Sequence, residues 1–141
     1  MTARYFVDSN VLVYARDITE ELKQRRASLW VNYLWDERCG HLSYQVLIEC
    51  YSVLTQRRGM SANQARGYVE SFLVWQPLVI DASVLERAWQ TQDRFRLNWF
   101  DCLIIAAARI AECKYLLTED LQHGQDLDGL QVVSPFLVEP I

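Results

Sequence analysis

Most of the eighteen acidic residues in this 141-residue chain lie in polar company, but four do not. Asp8 follows the strand-forming run Tyr5, Phe6 and Val7 and precedes Ser9 and Asn10. Glu49 falls within "SYQVLIECYSVL", where helical spacing puts it on an apolar stripe with Val46, Cys50 and Val53. Asp101 heads "DCLIIAAARIAE", and Ile104, Ile105 and Ala108 continue its face of a helix. Asp120 follows the apolar run "YLLT", with Glu119 as its rival from position alone. Each has an ordinary explanation as well: a helix N-cap for Asp8, a carboxylate reaching outward for Glu49, the favourable helix dipole for Asp101, a loop acid for Asp120.

Taken together they suggest chemistry. Carboxylates brought within about 5 Å repel by about 3 kcal/mol per pair at an effective dielectric near 20. A purely structural role offers nothing to offset that, whereas a hard divalent cation does, because Mg²⁺ or Mn²⁺ takes oxygen ligands and needs only a few carboxylates. Such a site orients a phosphate and lowers the pKa of water, which is what metal-assisted phosphodiester hydrolysis requires.

These acids can meet only if the chain brings distant segments together. Short apolar runs at Tyr5 to Asp8, Gly40 to Ser43, Leu78 to Ile80, Tyr115 to Thr118 and Gln131 to Val133 predict strands buried on both faces. They alternate with longer helical patterns, the signature of an α/β fold around a parallel sheet, whose ligand crevice lies at the carboxyl ends of the strands. A helix is expected from Thr19 to Glu37, burying Leu22, Leu29, Trp30, Tyr33 and Leu34. Another spans Tyr44 to Arg57 with Ser43 as N-cap. Gly59 marks a stop, and Ser61 with Gln64 reads as a capping box. Ser83 with Glu86 reads the same way for a helix reaching Arg96, and a last helix covers Phe100 to Glu112.

Composition bounds the rest. With 51% hydrophobic and 23% charged residues and no low-complexity stretch, residues 1–141 read as a single globular domain. No leader pattern or membrane-length apolar window is present, so a cytoplasmic protein is expected. Cys39, Cys50, Cys102 and Cys113 lack zinc-ligand spacing and read as buried thiols. A net charge of −4 argues against binding nucleic acid by bulk electrostatics but leaves room for a local basic groove. Arg25 and Arg26, Arg57 and Arg58, and Arg94 and Arg96 are the candidates. The five Trp residues suit either a core or an interface. No G-x-G-x-x-G follows the first strand, and Asn10 stands where a haloacid-dehalogenase phosphatase wants its second Asp. The acid pair of a receiver domain is also missing.

Across nearly its whole length the chain resembles the PIN-domain ribonucleases, in particular the VapC-type toxins of bacterial toxin–antitoxin pairs. "FVDSNVLVYA" looks like the opening strand with its first acid, "LSYQVLIECYSVL" like the second motif, "WFDCLIIAAA" like the third, and "LLTEDLQHGQ" with "LQVVSPF" like the fourth and the closing strand. The family's Thr-x-Asp pattern matches Thr118 and Asp120 and not Glu119. Cys102 departs from the Ala common after the third acid. The resemblance implies a three-layer α/β/α domain with a central parallel sheet of strand order 3-2-1-4-5. It implies an endoribonuclease dependent on Mg²⁺ or Mn²⁺, with Asp8, Glu49 and Asp101 as the core catalytic, metal-binding acids, Asp120 as a supporting ligand or second-metal residue, and Asn10 and Thr118 as supporting polar groups. An RNA substrate, a VapB-like antitoxin partner and a homodimer follow from the same resemblance. The alternative is a non-catalytic RNA- or protein-binding module of the same fold.

Overall fold

In the computed structural model, which describes residues 2–140, the buried run Tyr5–Val7 forms β1 at the heart of the sheet. β1 pairs in parallel with β2 (Gly40–His41) on one side and with β3 (Tyr115–Leu117) on the other. β3 pairs in parallel with β5 (Leu130–Val133), and β4 (Asp126–Leu127) runs antiparallel along β5, giving the order β2-β1-β3-β5-β4 among the described residues. The expected α/β class and the order of the first, second, fourth and fifth runs hold.

Two departures lie at the sheet edges. The expected strand Leu78 to Ile80 shrinks to one parallel bridge, Ser43 to Leu78, in which Leu78 N donates to Leu42 O at 2.9 Å. Pro77 brings no N–H to lengthen the ladder, and Val79 faces solvent at 62% exposure. At the other edge β4 makes the sheet mostly rather than wholly parallel. It reaches β5 through Asp128 (φ 52°) and Gly129 (φ 99°), the two left-handed positions that an Asp-Gly hairpin supplies cheaply.

Six helices surround the sheet among the described residues: α1 (Ser9–Tyr14), α2 (Glu21–Glu37), α3 (Tyr44–Gln56), α4 (Ala62–Ser71), α5 (Ala82–Phe95) and α6 (Trp99–Ile110). A 3₁₀ turn, Phe72–Trp75, follows α4. α1 packs on α2 and α3, α3 on α4, and α5 on α6. None of these helices is long and apolar enough to cross a membrane.

α2 buries Ala27, Trp30, Val31 and Leu34, a stripe at i, i+3, i+4 and i+7, with Tyr33 at its margin. Leu22 and Leu29 fall off that stripe and are exposed, contrary to expectation. Ser43 and Ser61 cap α3 and α4 as expected, their hydroxyls accepting from Val46 N and Gln64 N. α5 instead starts early: Asp81, not Ser83, is its cap and accepts from Val84 N at 3.2 Å. The helix turns Val84, Ala88 and Thr91 inward.

α6 is the scaffold of most consequence for the site. Every residue from Cys102 to Ala108 is buried. Ile104, Ile105, Ala107 and Ala108 join the main core, while Cys102, Leu103 and Ala106 pack with Val84 and Ala88 of α5. A helix gripped on all sides holds its first turn, and therefore Asp101, in a fixed place. All four cysteines are buried and free.

Candidate functional site

Asp8 does two jobs. Its backbone N–H donates to Leu117 O at 3.0 Å, extending the β1–β3 pairing by one residue. Its side chain then caps α1, Oδ1 accepting from Ser9 N at 2.7 Å. The capping explanation is therefore correct, and it leaves Oδ2 facing the end of β3. There the buried Thr118 hydroxyl donates to it at 2.8 Å. The same hydroxyl accepts from Asn10 Nδ2 at 3.2 Å and from Asp120 N at 3.1 Å, so its one proton and both lone pairs are used.

These contacts collect the acids at the carboxyl ends of β1 and β3. Asp8, Asp101 and Asp120 each present a ligand oxygen, all within 4.8 Å of one another. Asp8 is buried, Asp101 half-buried and Asp120 exposed, so the group opens to solvent on one side. Glu49, half-buried on α3, stands outside that group of three. Its Oε1 accepts from Gln45 Nε2 at 2.7 Å, and the same amide nitrogen donates to Phe100 O at 3.3 Å. Gln45 thereby ties Glu49 to the residue before Asp101.

The electrostatics show that the four acids belong to one neighbourhood. Burial, reinforced by the charges of Asp120 and Glu49, pushes the Asp8 carboxyl up to about 7 against the opposing bonds from Thr118 and Ser9. Burial raises Glu49 too, with Asp101 and Asp120 adding to it and Gln45 opposing. Burial and then Asp120 raise Asp101. None of the four forms an ion pair among the described residues. Like charges at that separation repel one another, the more strongly where burial excludes water.

Glu119, the positional rival of Asp120, is engaged elsewhere. Lys23 Nζ lies 3.1 Å from its carboxylate and 4.6 Å from the centre of the Tyr14 ring. Ser9 and Gln45 were not singled out by sequence reasoning. Gln45 had a readable signal, standing four residues before Glu49 on the same helical face.

The donor set suits a hard divalent cation. It is made of oxygens alone, and the Asn10 Oδ1 carbonyl, buried close by, has no hydrogen-bond partner among the described residues. A cavity of about 480 Å³, bordered by Trp35, Arg38, His41 and Trp75, contains none of these acids.

A PIN domain family model matches residues 5–125, a span that includes all four acids. A comparison with curated proteins returns no match. Among solved structures, a toxin–antitoxin complex from Klebsiella pneumoniae is similar at 17% identity and a TM-score of 0.61, covering 96% of this chain and 99% of the other. VapBC2 from Rickettsia felis, bound to a DNA fragment from its promoter, is similar at 14% identity and a TM-score of 0.64, with 92% and 97% covered. VapC20 from Mycobacterium tuberculosis, described as a toxin that cleaves the Sarcin-Ricin loop, is similar at 19% identity and a TM-score of 0.60, with 79% and 86% covered. These structures share the fold. With the family model matching most of its length, the chain belongs to the PIN domain family.

Proposed function

We propose that this chain is an endoribonuclease that hydrolyses RNA phosphodiester bonds with the help of Mg²⁺ or Mn²⁺, and that it is the toxin of a VapBC-type pair. The observation that carries the reading is the meeting of Asp8, Asp101 and Asp120 from three distant segments, with no basic partner among the described residues to neutralise them. Membership of the PIN domain family and the likeness to VapBC toxin structures support it.

On this reading Asp8, Asp101 and Asp120 hold the cation and Glu49 flanks them. When bound, the cation supplies positive charge against the phosphate and lowers the pKa of water. The chain's own groups do the positioning. Thr118 and Ser9 N–H fix both oxygens of Asp8, Asn10 steadies Thr118, and Gln45 holds Glu49. In the hydrolysis a water oxygen bonds to phosphorus and gives up a proton, the bond from phosphorus to the leaving ribose oxygen breaks, and that oxygen takes up a proton in its place. The protein acts in the cytoplasm, where its RNA is. A small VapB-like antitoxin restrains it, and two copies form a homodimer.

Induced expression in bacteria tests the toxin reading. Wild type is expected to arrest growth, Asp8→Asn and Asp101→Asn at equal protein levels are not, and co-expression of a small protein encoded next to it is expected to relieve the arrest. Equal growth of all three strains contradicts it.

A further inference from the structure

Each of the three neighbouring arginine pairs divides in the same way. Arg26 lies 3.7 Å from Glu139, Arg58 2.9 Å from Asp17 and Arg94 3.3 Å from Asp128. Arg25, Arg57 and Arg96 are exposed and form no ion pair among the described residues. Arg57 differs from the other two in its surroundings. It borders a cavity of about 390 Å³ shared with Ile48, Glu49, Ser52, Val53 and Gln56.

From Glu49 these side chains recur at i+3, i+4, i+7 and i+8, so they form one row down α3, about 12 Å long at 1.5 Å per residue. A carboxylate of the acid neighbourhood stands at one end and an unpaired guanidinium at the other. Between them lie a hydroxyl, an amide and the edge of Val53, with Ile48 exposed alongside. That order of groups matches an extended ribose–phosphate strand. A guanidinium binds phosphate in a fork, hydroxyl and amide groups bond to ribose 2′-OH, and an apolar wall accepts a sugar or base face. A strand whose reacting phosphate sits at the acids must carry its next phosphates away across the surface, and this groove begins at Glu49.

We propose that the α3 groove is a binding subsite for the RNA backbone flanking the cleaved bond, with Arg57 on a phosphate and Ser52 and Gln56 on the adjoining ribose. The proposal rests on the ribonuclease reading for its ligand. The net charge of −4 makes such a local cation matter, since bulk attraction for RNA is absent.

The test measures binding of a labelled single-stranded RNA by fluorescence anisotropy across a salt series, in the Asp101→Asn background, and cleavage kinetics in the otherwise wild-type chain. Arg57→Ala is expected to weaken binding about fivefold to tenfold and to flatten the salt dependence by about one phosphate contact. KM is expected to rise while kcat changes less than about twofold. Arg57→Lys is expected to recover most of the loss, and Arg25→Ala to change nothing. Binding and KM unaffected by Arg57→Ala overturn the subsite even if the wild type cleaves RNA, as does an equal loss in Arg25→Ala, which points to bulk charge. If the wild type cleaves nothing while Arg57→Ala still weakens RNA binding, the subsite stands and the nuclease reading falls.

Discussion

Thr118 donates to Asp8 Oδ2 at 2.8 Å, joining the ends of two adjacent parallel strands through side chains. With Asp120 N donating to the same hydroxyl at 3.1 Å, one buried threonine sets the spacing of two acids. Thr118→Val keeps the shape but removes the donor and both acceptor sites. It is expected to lower stability by about 1–3 kcal/mol and to weaken Mn²⁺ binding about tenfold or more. Thr118→Ser is expected to retain most of both. Thermal unfolding and calorimetric Mn²⁺ titration of the three proteins check this.

Gln45 has two acceptors for its amide nitrogen, Glu49 Oε1 and Phe100 O, so an isosteric but apolar Gln45→Met removes the donor that ties Glu49 to the start of α6. The expected result is a fall in kcat of about 10-fold to 100-fold with little change in KM. Gln45→Glu is expected to do worse, because it puts another carboxylate beside Glu49. Steady-state kinetics with matched circular dichroism separates this from unfolding.

The acid cluster strains the cation-free protein in a way that pH reveals. Burial raises Asp8 from 3.8 to about 7, so between those values the native state binds more protons than the unfolded chain. Stability then falls as pH rises through that window. Asp17, lowered by its Thr19 hydroxyl bond and by Arg58, works in the opposite sense at more acid pH, and half-buried His41, lowered by burial and by Arg4, offsets part of the fall below its ordinary value of 6.5. In chelator the Tm is expected to be higher at pH 5 than at pH 8 by on the order of 5 °C. Asp8→Asn is expected to flatten this slope, and so is saturating Mg²⁺ at pH 8. A Tm that rises steadily from pH 5 to pH 8 in chelator contradicts the account.

Much of the site was legible because acids are costly beside apolar runs. Asp8 and Asp101 could be singled out by that, Asp120 stood level with Glu119 until the family's Thr-x-Asp pattern separated them, and the structure brings the three together. What was not legible depends on distance and on competition. That Glu49 stands outside the closest group depends on how α3 packs, which no residue of α3 reports. Leu78 to Ile80 had the look of a strand, but Pro77 limits its pairing. Asp81 rather than Ser83 caps α5, with its carboxylate accepting from Val84 N, a choice between two good cap residues that spacing alone did not decide. The hairpin joining β4 and β5 has its local signal in the Asp128–Gly129 pair, but two-residue strands are too short for alternation to reveal.

Gly40 offers a test of the fold apart from the chemistry. A Cβ added there would lie 2.5 Å from the Trp75 ring and 3.1 Å from Leu34 Cβ. Gly40→Ala is expected to cost about 1–3 kcal/mol as the ring is pushed aside. The folded fraction is expected to keep its kcat, since Trp75 borders none of the acids. Chemical denaturation and single-temperature kinetics read the two effects separately.

The most direct measurement is cleavage of a labelled RNA by purified protein in Mg²⁺ or Mn²⁺, with chelator, Asp8→Asn and Asp101→Asn as comparisons. The account predicts cleavage by wild type only when the cation is present, and a loss of at least about 100-fold in either variant, or ~2.7 kcal/mol of transition-state stabilisation. Variants that cut as fast as wild type, or a rate that chelator leaves unchanged, contradict it.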